Sequence, residues 1–184
     1  TMVVTCLESY VAESKWGVLE EAFRAHTTSL PSGMLDVCLL GPMHCLHAIL
    51  PIMKAQQFGR IVCFSSDSAR IGQARLSYYA AAKAGVTALV KSIAQEVGPN
   101  GITANIVSPG ATNTPLRMKR EAALREQMGE EKYQRRVQTV QKMYPLRRIG
   151  EPSDVAPMVA FLLSERSGWM TGHVISINGG FTMV

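Results

Sequence analysis

The chain has 184 residues, of which 47% are hydrophobic and 18% charged, a composition that suits one globular domain of ordinary size. It excludes a low-complexity linker, a collagen-like chain and a coiled coil, because each of these needs a strongly biased composition. The net charge is +5, but residues 117–148 alone carry ten Lys/Arg and four Glu, so the excess is local and no nucleic-acid partner is predicted.

The cysteines and the uncharged segments predict where the protein resides. Four cysteines, at positions 6, 38, 45 and 63, form no C-x-x-C pair, which fits a reducing cytosol and predicts neither a disulfide scaffold nor a zinc knuckle. Residues 1–6 lack the basic start and apolar core of a signal peptide. Residues 37–53 contain two prolines and fall short of the ~20 apolar residues of a membrane span. We therefore expect a soluble cytoplasmic protein without a membrane partner.

The pattern of apolar and polar residues predicts alternating helices and strands. The predicted elements are a short strand at 2–6, a mixed helical and loop region at 9–32, a helix buried on most sides at 35–53, a strand at 61–64, a long helix at 77–97, a strand at 102–107, a charged helical segment at 116–143, a helix at 151–163 and a last strand at 173–178. The strand at 61–64 is apolar on both faces, which is typical of parallel sheets covered by helices. The alternation predicts an α/β fold with right-handed crossovers.

A tyrosine and a lysine four residues apart form the most informative pair in the chain. Tyr79 and Lys83 lie on one face of the predicted helix, since residues i and i+4 are neighbours there. An ammonium group near a phenol favours the phenolate, so the pKa of Tyr79 is predicted to fall from ~10 towards neutrality. Such a phenol can exchange a proton with an alcohol or ketone oxygen. The alternative is an ordinary surface pair, because Y-x-x-x-K occurs by chance in many helices.

Ser66 adds a hydroxyl at a position where α/β proteins bind ligands. It follows the predicted strand at 61–64, and ligands of open α/β sheets bind beyond the carboxyl ends of strands. A hydroxyl at that edge can donate to a carbonyl oxygen as negative charge develops on it. The alternative is that the serines at 65, 66 and 68 only cap the following turn.

Several further motifs occur in one order and spacing with these residues, and together they resemble the short-chain dehydrogenase/reductase family. The motifs are Gly59-Arg60-Ile61-Val62, Ser66, Tyr79-x-x-x-Lys83-Ala84-Gly85, Gly101-Ile102-Thr103-Ala104-Asn105, Ser108-Pro109-Gly110, residues 145–152 and residues 172–180. The resemblance covers residues 35–184. It implies a Rossmann-like, doubly wound parallel sheet and an oxidoreductase that uses NAD or NADP.

The resemblance also implies roles for the three residues already singled out. Tyr79 would be the acid/base, Lys83 would lower the pKa of Tyr79 and hold the nicotinamide ribose, and Ser66 would orient the substrate oxygen. The substrate would be a small ketone or secondary alcohol. An acyl thioester is one candidate, because the 3-oxoacyl-acyl-carrier-protein reductases and the hydroxyacyl-CoA dehydrogenases are the most similar branches. A homodimer or homotetramer is implied as well.

By the same resemblance, the cofactor site would be completed by four residues that follow the strand at 102–107. Pro109 and Gly110 would lie beside the nicotinamide. The Thr112 backbone would face the carboxamide, and Thr114 would bind the phosphate or amide end of the cofactor.

One departure from the family pattern concerns Cys38. The family has an asparagine at this position, in a bent helix where its main-chain carbonyl holds a water of the proton relay. Pro42 lacks an N–H and cannot bond the Cys38 carbonyl, so it is expected to bend the helix there. We hypothesise that the carbonyl of Cys38 still binds the relay water.

A second departure concerns the first part of the family's fold. The family begins with a strand and a turn of the form T-G-x-x-x-G-x-G that holds the pyrophosphate, whereas the only glycines before residue 40 are Gly17 and Gly33. The sequence thus predicts one incomplete domain over residues 1–184, N-terminally truncated and lacking the first β-α-β units, with residues 1–34 unassigned. The alternative function is a catalytically silent fragment that retains only oligomerisation surfaces.

Two other features each have two interpretations. Cys38, His44, Cys45 and His47 lie close in sequence, but helical spacing separates them onto different faces, so no metal site is predicted. Residues 115–148 fall where the family has its substrate-lid helices. They form either a solvated face with i,i+4 pairs or a lid that attracts the phosphates of coenzyme A or an acyl carrier.

Overall fold

The computed structural model describes residues 32–184, so the predicted strand at 2–6 and nearly all of the mixed region at 9–32 lie outside the described residues. The strands are β1 (Gly59–Phe64), β2 (Ile102–Pro109) and β3 (Val174–Ile177). The helices are α1 (Ser32–Leu35), α2 (Gly41–Gln56), α3 (Ser68–Ile71), α4 (Ser77–Val97), α5 (Pro115–Met128), α6 (Glu130–Lys142) and α7 (Pro152–Leu163). A π-helical stretch, Asp36–Leu40, joins α1 to α2, and 3-10 turns lie at Gly98–Asn100 and Glu165–Ser167.

The three described strands form a parallel sheet in the order β1-β2-β3. Gly59 is paired with Ile102 at the start of β1, and Phe64 with Val107 at its end. Pro109 is paired with Ile177 at the end of β3. Because the strands are parallel and in this register, their carboxyl ends meet at one edge of the sheet, as the alternation of elements predicted.

Helices cover both faces of the sheet, and successive strand residues alternate between two cores. On one face Ile61 and Cys63 pack with residues of α2 and α4, including Leu46 and Val90. The other face carries a second cluster against α7: Val62, Val107, Val155, Leu162. β2 is buried at every position from 102 to 108, which is expected of a strand with a neighbour on each side and helices above and below. The α/β architecture and the Rossmann-like sheet are confirmed.

The first long helix departs from its prediction in two ways. In α2 only Pro42, Leu46 and Met53 are buried, so the expectation of a helix buried on most sides is wrong; within the described residues it packs on β1 and α4 along one face. The helical stretch Gly33–Gln56 has 24 residues and by length and composition alone could cross a membrane, contrary to the expectation that it is too short. A core helix of a globular protein meets the same criterion.

The charged segment is helical, as predicted, and the structure divides it into two helices. α5 ends at Met128 and α6 begins at Glu130; Gly129 between them has a φ of 78°, in a region that only glycine adopts readily. Thr114 caps α5, since its side chain accepts a hydrogen bond from the Arg117 N–H. The long helix at 77–97 and the strands match their predicted positions to within two residues.

Candidate active site

Small or polar residues follow each of the three strands at the edge where the strands end. Ser65 and Ser66 follow β1, Gly110 follows β2, and Asn178 follows β3. The Ser65 N–H donates to the Val107 carbonyl at 2.9 Å, so the chain after β1 continues the sheet for one residue before it turns away. This edge is where an open α/β sheet presents its ligand site.

Tyr79 and Lys83 meet on one side of α4, as their spacing predicted. The Lys83 ammonium nitrogen lies 5.6 Å from the centroid of the Tyr79 ring. The same nitrogen donates a hydrogen bond of 3.3 Å to the Phe64 carbonyl, the last of β1. Lys83 is only 3% exposed, whereas Tyr79 is half-buried. The ammonium is therefore fixed between the phenol and the end of the strand that leads to Ser66.

Two hydroxyl groups fix the backbone of α4 beneath this pair. The Ser65 and Thr87 hydroxyls both donate to the Lys83 carbonyl, at 3.1 and 3.0 Å, and the Thr87 hydroxyl also lies 2.9 Å from the Ser65 oxygen. Because Ser65 directly precedes Ser66, these bonds tie the turn after β1 to the helix that carries Tyr79. Sequence reasoning did not identify this role of Ser65 and Thr87.

Ser66 lies at the start of the turn that leads into α3. Its oxygen accepts a hydrogen bond from the Ser68 N–H at 3.3 Å, and its hydroxyl lies 3.2 Å from the Ser68 oxygen. Ser68 in turn contacts Gln73 through its hydroxyl. The capping interpretation therefore holds for this group, while Ser66 itself remains half-buried at the sheet edge.

The loop after β2 is bonded to its neighbours along its whole length. The Gly110 N–H donates to the Ile177 carbonyl at 3.0 Å, and the Ala111 N–H to the Tyr144 hydroxyl at 3.1 Å. Thr112 forms a parallel bridge with Gly150. A Cβ on Gly110 would lie 2.9 Å from the Asn178 Cα, so only glycine allows β2 and β3 to end this close together.

Of the residues expected to contact a cofactor, Pro109 and Gly110 lie at the strand edge and Thr112 in the loop after it. The Thr112 hydroxyl donates to the Gly110 carbonyl at 3.0 Å and keeps this loop tight. The Thr114 side chain is engaged as the cap of α5, because its oxygen accepts the Arg117 N–H at 3.3 Å.

Cys38 is buried in the π-helical stretch that packs against α4. Its thiol donates to the Met34 sulfur at 3.8 Å. The Gly41 N–H bonds the carbonyl of Asp36, five residues earlier, which widens the helix next to Pro42. The expected irregularity of the helix at this point is present, although it takes the form of a π-helical stretch. The hypothesis about a relay water at the Cys38 carbonyl stays a prediction.

A cavity of about 910 Å³ opens between α5 and α6. Four arginines and three glutamates line it together with apolar side chains; the arginines are Arg117, Arg125, Arg136 and Arg148. Arg136 bonds both carboxylate oxygens of Glu121, at 2.6 and 3.3 Å, and Arg125 pairs with Glu130. Most of the positive charge that lines this cavity is thus used in ion pairs.

The ion pairs of Arg136 with Glu121 and of Arg148 with Asp154 change the titration of the two carboxyl groups. Burial raises the pKa of Glu121, but the hydrogen bond from Arg136 and the charges of Arg117 and Arg136 outweigh it, so the pKa lies below its ordinary value. The Arg148 guanidinium, with the Glu151 N–H, holds the pKa of the Asp154 carboxyl well below its usual range. Both carboxylates are therefore charged at neutral pH.

The structure brings one further acidic residue to the sheet edge that sequence reasoning missed. Asp67 is 3% exposed, and its carboxylate accepts hydrogen bonds from Ser108 and Asn178. The only signal in the sequence is an acidic residue directly after the serine that ends a buried strand. Among residues 32–184 no three His, Cys, Asp or Glu side chains lie close enough together to hold a metal ion.

Comparison with known proteins gives matches over most of the chain. The family profile described as Enoyl-(Acyl carrier protein) reductase matches residues 15–182. The chain is 35% identical over 162 residues to 2,3-dihydroxy-2,3-dihydro-p-cumate dehydrogenase of Pseudomonas putida, a match that covers 88% of this chain and 59% of that enzyme. It is 34% identical over 150 residues to the 3-oxoacyl-[acyl-carrier-protein] reductase FabG of Staphylococcus epidermidis, with 82% of this chain and 57% of the relative covered.

A solved structure, ElxO with NADP bound, superposes on this chain with a TM-score of 0.73 at 29% sequence identity. The match covers 84% of this chain and 59% of that one. The chain thus spans about three fifths of the length of the relatives it matches.

Proposed function

Because the chain belongs to the short-chain dehydrogenase/reductase family, we propose that it carries the acid/base site of an oxidoreductase that uses NAD or NADP to interconvert a ketone and a secondary alcohol. The observation that carries the proposal is the position of the Lys83 ammonium, 5.6 Å from the Tyr79 ring and 3.3 Å from the carbonyl that ends β1. This arrangement supports a site at the edge of the sheet where ligands bind, since Ser66 follows Phe64 by two residues at the same edge.

In the direction of reduction, Tyr79 donates its phenolic proton to the substrate oxygen. The Lys83 ammonium stabilises the phenolate that remains, since an adjacent opposite charge favours the ionised form. The Ser66 hydroxyl turns from Ser68 to the substrate oxygen and donates a hydrogen bond to it as negative charge develops. The nicotinamide, which Lys83 and the Pro109–Gly110 segment would hold, would supply the hydride for this reduction.

The residues present fit the nicotinamide end of such a cofactor. Lys83 carries an ammonium group, which has three donors suited to ribose hydroxyls. Pro109 and Gly110 follow on the next strand, held by the Gly110 N–H to Ile177 bond, and we assign the carboxamide to the Thr112 backbone in the loop after it. We assign the cofactor's amide or phosphate end to the segment at Thr114. Within residues 32–184 no glycine-rich turn joins a strand to a helix in the way that holds a pyrophosphate.

Turnover by two tyrosine variants tests the proposal. Tyr79→Phe removes the proton donor and is expected to lower kcat by at least about a hundredfold, the usual contribution of general acid/base catalysis. Tyr78→Phe is the matched control, because Tyr78 is adjacent in sequence but 50% exposed. The assay follows oxidation of NADH or NADPH by the purified chain with acetoacetyl-CoA and with a simple ketone. Equal activity of the two variants contradicts the assignment of Tyr79.

For the substrate class we propose an acyl thioester, such as a 3-oxoacyl carrier protein or a hydroxyacyl-CoA. The similarity to a 3-oxoacyl-[acyl-carrier-protein] reductase supports it, as does the cavity between α5 and α6. Lys119 and Arg120 are exposed on α5 and form no salt bridge within residues 32–184, so their charge is available to phosphate groups. We expect the KM for acetoacetyl-CoA to rise with salt concentration and the KM for an uncharged ketone to stay constant. A KM for the CoA ester that is insensitive to salt contradicts this proposal.

A second candidate function is association without catalysis, and one observation favours it. On and near α2 the apolar side chains of Met34, Met43 and Ile52 are exposed, and exposed apolar side chains can be covered in a homodimer or homotetramer contact. A preparation of the chain that is folded and oligomeric, yet has no turnover with either nicotinamide cofactor, favours this candidate. Monomeric behaviour in light scattering contradicts it.

A further inference from the structure

The carboxylate of Asp67 is turned away from the helix that it precedes. Asp67 occupies the N-cap position of α3, where an aspartate usually accepts a bond from the first N–H groups of its helix. Here the side chain makes no such bond. Its Oδ1 accepts from the Ser108 hydroxyl at 2.9 Å, and its Oδ2 accepts from the Asn178 side-chain amide at 2.7 Å. The side chain therefore points back to the ends of the neighbouring strands.

The three residues of this cluster belong to three different strand ends. Asp67 follows β1, Ser108 is the penultimate residue of β2, and Asn178 follows β3. All three are buried, at 3%, 0% and 8% exposure. Within residues 32–184 no lysine or arginine forms a salt bridge with Asp67, so the two neutral donors carry the stabilisation of its charge. A buried carboxylate is costly unless its hydrogen bonds are well made.

Asn178 extends the cluster into the turn after β3. Its Oδ1 accepts from the Gly180 N–H at 3.0 Å, and its amide nitrogen lies 3.0 Å from both the carbonyl and the hydroxyl of Thr182. Asn178 also lies close to Gly110, since a Cβ added at Gly110 would lie 2.9 Å from the Asn178 Cα. One carboxylate thus connects the Ser66 turn, the loop after β2 and the chain after β3.

We propose that Asp67 is a positioning residue that sets the distance between Ser66 and the Pro109–Gly110 loop by clamping the ends of all three strands. Its meaning for catalysis rests on the function proposed above, in which Ser66 contacts the substrate oxygen and Gly110 lies beside the nicotinamide. The clamp itself is a property of the chain without cofactor or substrate.

Amide hydrogen exchange of the chain without ligand tests the clamp. Asp67→Ala removes both acceptors and is expected to speed exchange at residues 110–114 and 179–182 by about tenfold to a hundredfold, the effect of losing a charge-assisted hydrogen bond. Asp67→Asn keeps the shape but not the charge and gives a smaller increase. The amides within β1 and β2 exchange as in the wild type. Glu96→Ala, an exposed acidic residue on α4, is the matched control and leaves these rates unchanged.

The double variant Asp67→Asn/Asn178→Asp separates the clamp from a merely structural role. It restores a bond between a carboxylate and an amide at the same two positions, so exchange at residues 110–114 returns towards the wild-type rate. Exchange at residues 179–182 stays fast, because a carboxylate at position 178 cannot donate to the Thr182 carbonyl. Unchanged exchange in Asp67→Ala, or an equal increase at every amide of the sheet, overturns the clamp.

Measurements of kcat and KM for the Asp67 variants test separately whether the clamp positions Ser66 for catalysis. If the chain has turnover, Asp67→Asn is expected to lower kcat at least about tenfold with little change in KM, and the double variant to recover part of the loss. An unchanged kcat in a variant whose loop exchanges faster overturns the positioning of Ser66. If the wild-type chain has no turnover, the proposed function fails, while the exchange data still decide whether Asp67 clamps the strands.

Discussion

Replacing Gly110 by alanine tests the close approach of β2 and β3 that shapes the candidate active site. The added Cβ would lie 2.9 Å from the Asn178 Cα and 3.1 Å from its carbonyl oxygen, well inside the ordinary contact distance of about 3.5–4.0 Å. Because the obstructing atoms belong to the backbone, no side-chain rotation relieves the contact. The loop has to move away from β3, and the hydrogen bond from the Gly110 N–H to the Ile177 carbonyl lengthens.

The expected cost follows from two opposing effects. Overpacking of a tight site costs about 1–3 kcal/mol, and the lower entropy of the unfolded chain returns about 0.4–1 kcal/mol when glycine becomes alanine. We therefore expect the free energy of unfolding of Gly110→Ala to fall by about 1–2 kcal/mol. For a chain of this size the loss corresponds to a decrease in Tm of about 2–8 °C.

Urea and thermal denaturation of Gly110→Ala and of Gly41→Ala measure this cost. Gly41 is a matched control, because its backbone is helical and the nearest atom to its added Cβ is the Asp36 carbonyl oxygen at 3.4 Å. Gly41→Ala is expected to raise the free energy of unfolding by about 0.5–1 kcal/mol. If Gly110→Ala is as stable as the wild type, the strand ends do not need this close approach and the argument is wrong.

Three further predictions concern hydrogen bonds around the site. Tyr144→Phe leaves the Ala111 N–H without its acceptor and is expected to cost about 1–3 kcal/mol in urea denaturation; an unchanged free energy of unfolding would show that the bond adds nothing. The pKa of Asp154 is lowered in the folded state, so its ion pair with Arg148 stabilises the fold at neutral pH and is lost in acid. Asp154→Asn is therefore expected to flatten the dependence of stability on pH below about 4, and a parallel shift of the two pH profiles contradicts this. Cys38→Asn is expected to leave turnover within a small factor of the wild type, and a many-fold faster variant would refute the idea that the Cys38 carbonyl serves the relay.

The elements with a strong local pattern were predicted well from the sequence. β1, β2 and α4 carry continuous apolar runs or helical periodicity, and each is found within two residues of its prediction. The break at Gly129 was not predicted, because polar helices continue on both sides of it and the apolar pattern does not change. The exposure of α2 was mistaken for burial, since apolar composition alone does not tell which faces of a helix have a neighbour.

The catalytic motif and the clamp differ in how far apart their members lie in the chain. Tyr79 and Lys83 are separated by one helical turn, so their contact follows from helix geometry. Asp67 accepts hydrogen bonds from Ser108, which lies 41 positions further along the chain, and from Asn178, which lies 111 positions further. Only the register of the parallel sheet brings these residues together. Patterns of neighbouring residues carry no information about contacts between residues this far apart in the chain, so the clamp was not predicted.

The single glycine between α5 and α6 determines how the cavity between these helices can change width. α6 has 13 residues and is therefore about 20 Å long, at the rise of 1.5 Å per residue of an α-helix. The Thr114 cap holds the far end of α5, and buried Tyr144, which stacks on Phe181, follows the far end of α6. With both outer ends held, Gly129 acts as an elbow: a rotation of α6 by about 10° about its held end displaces Gly129, about 20 Å away, by about 3.5 Å, roughly the width of a water molecule.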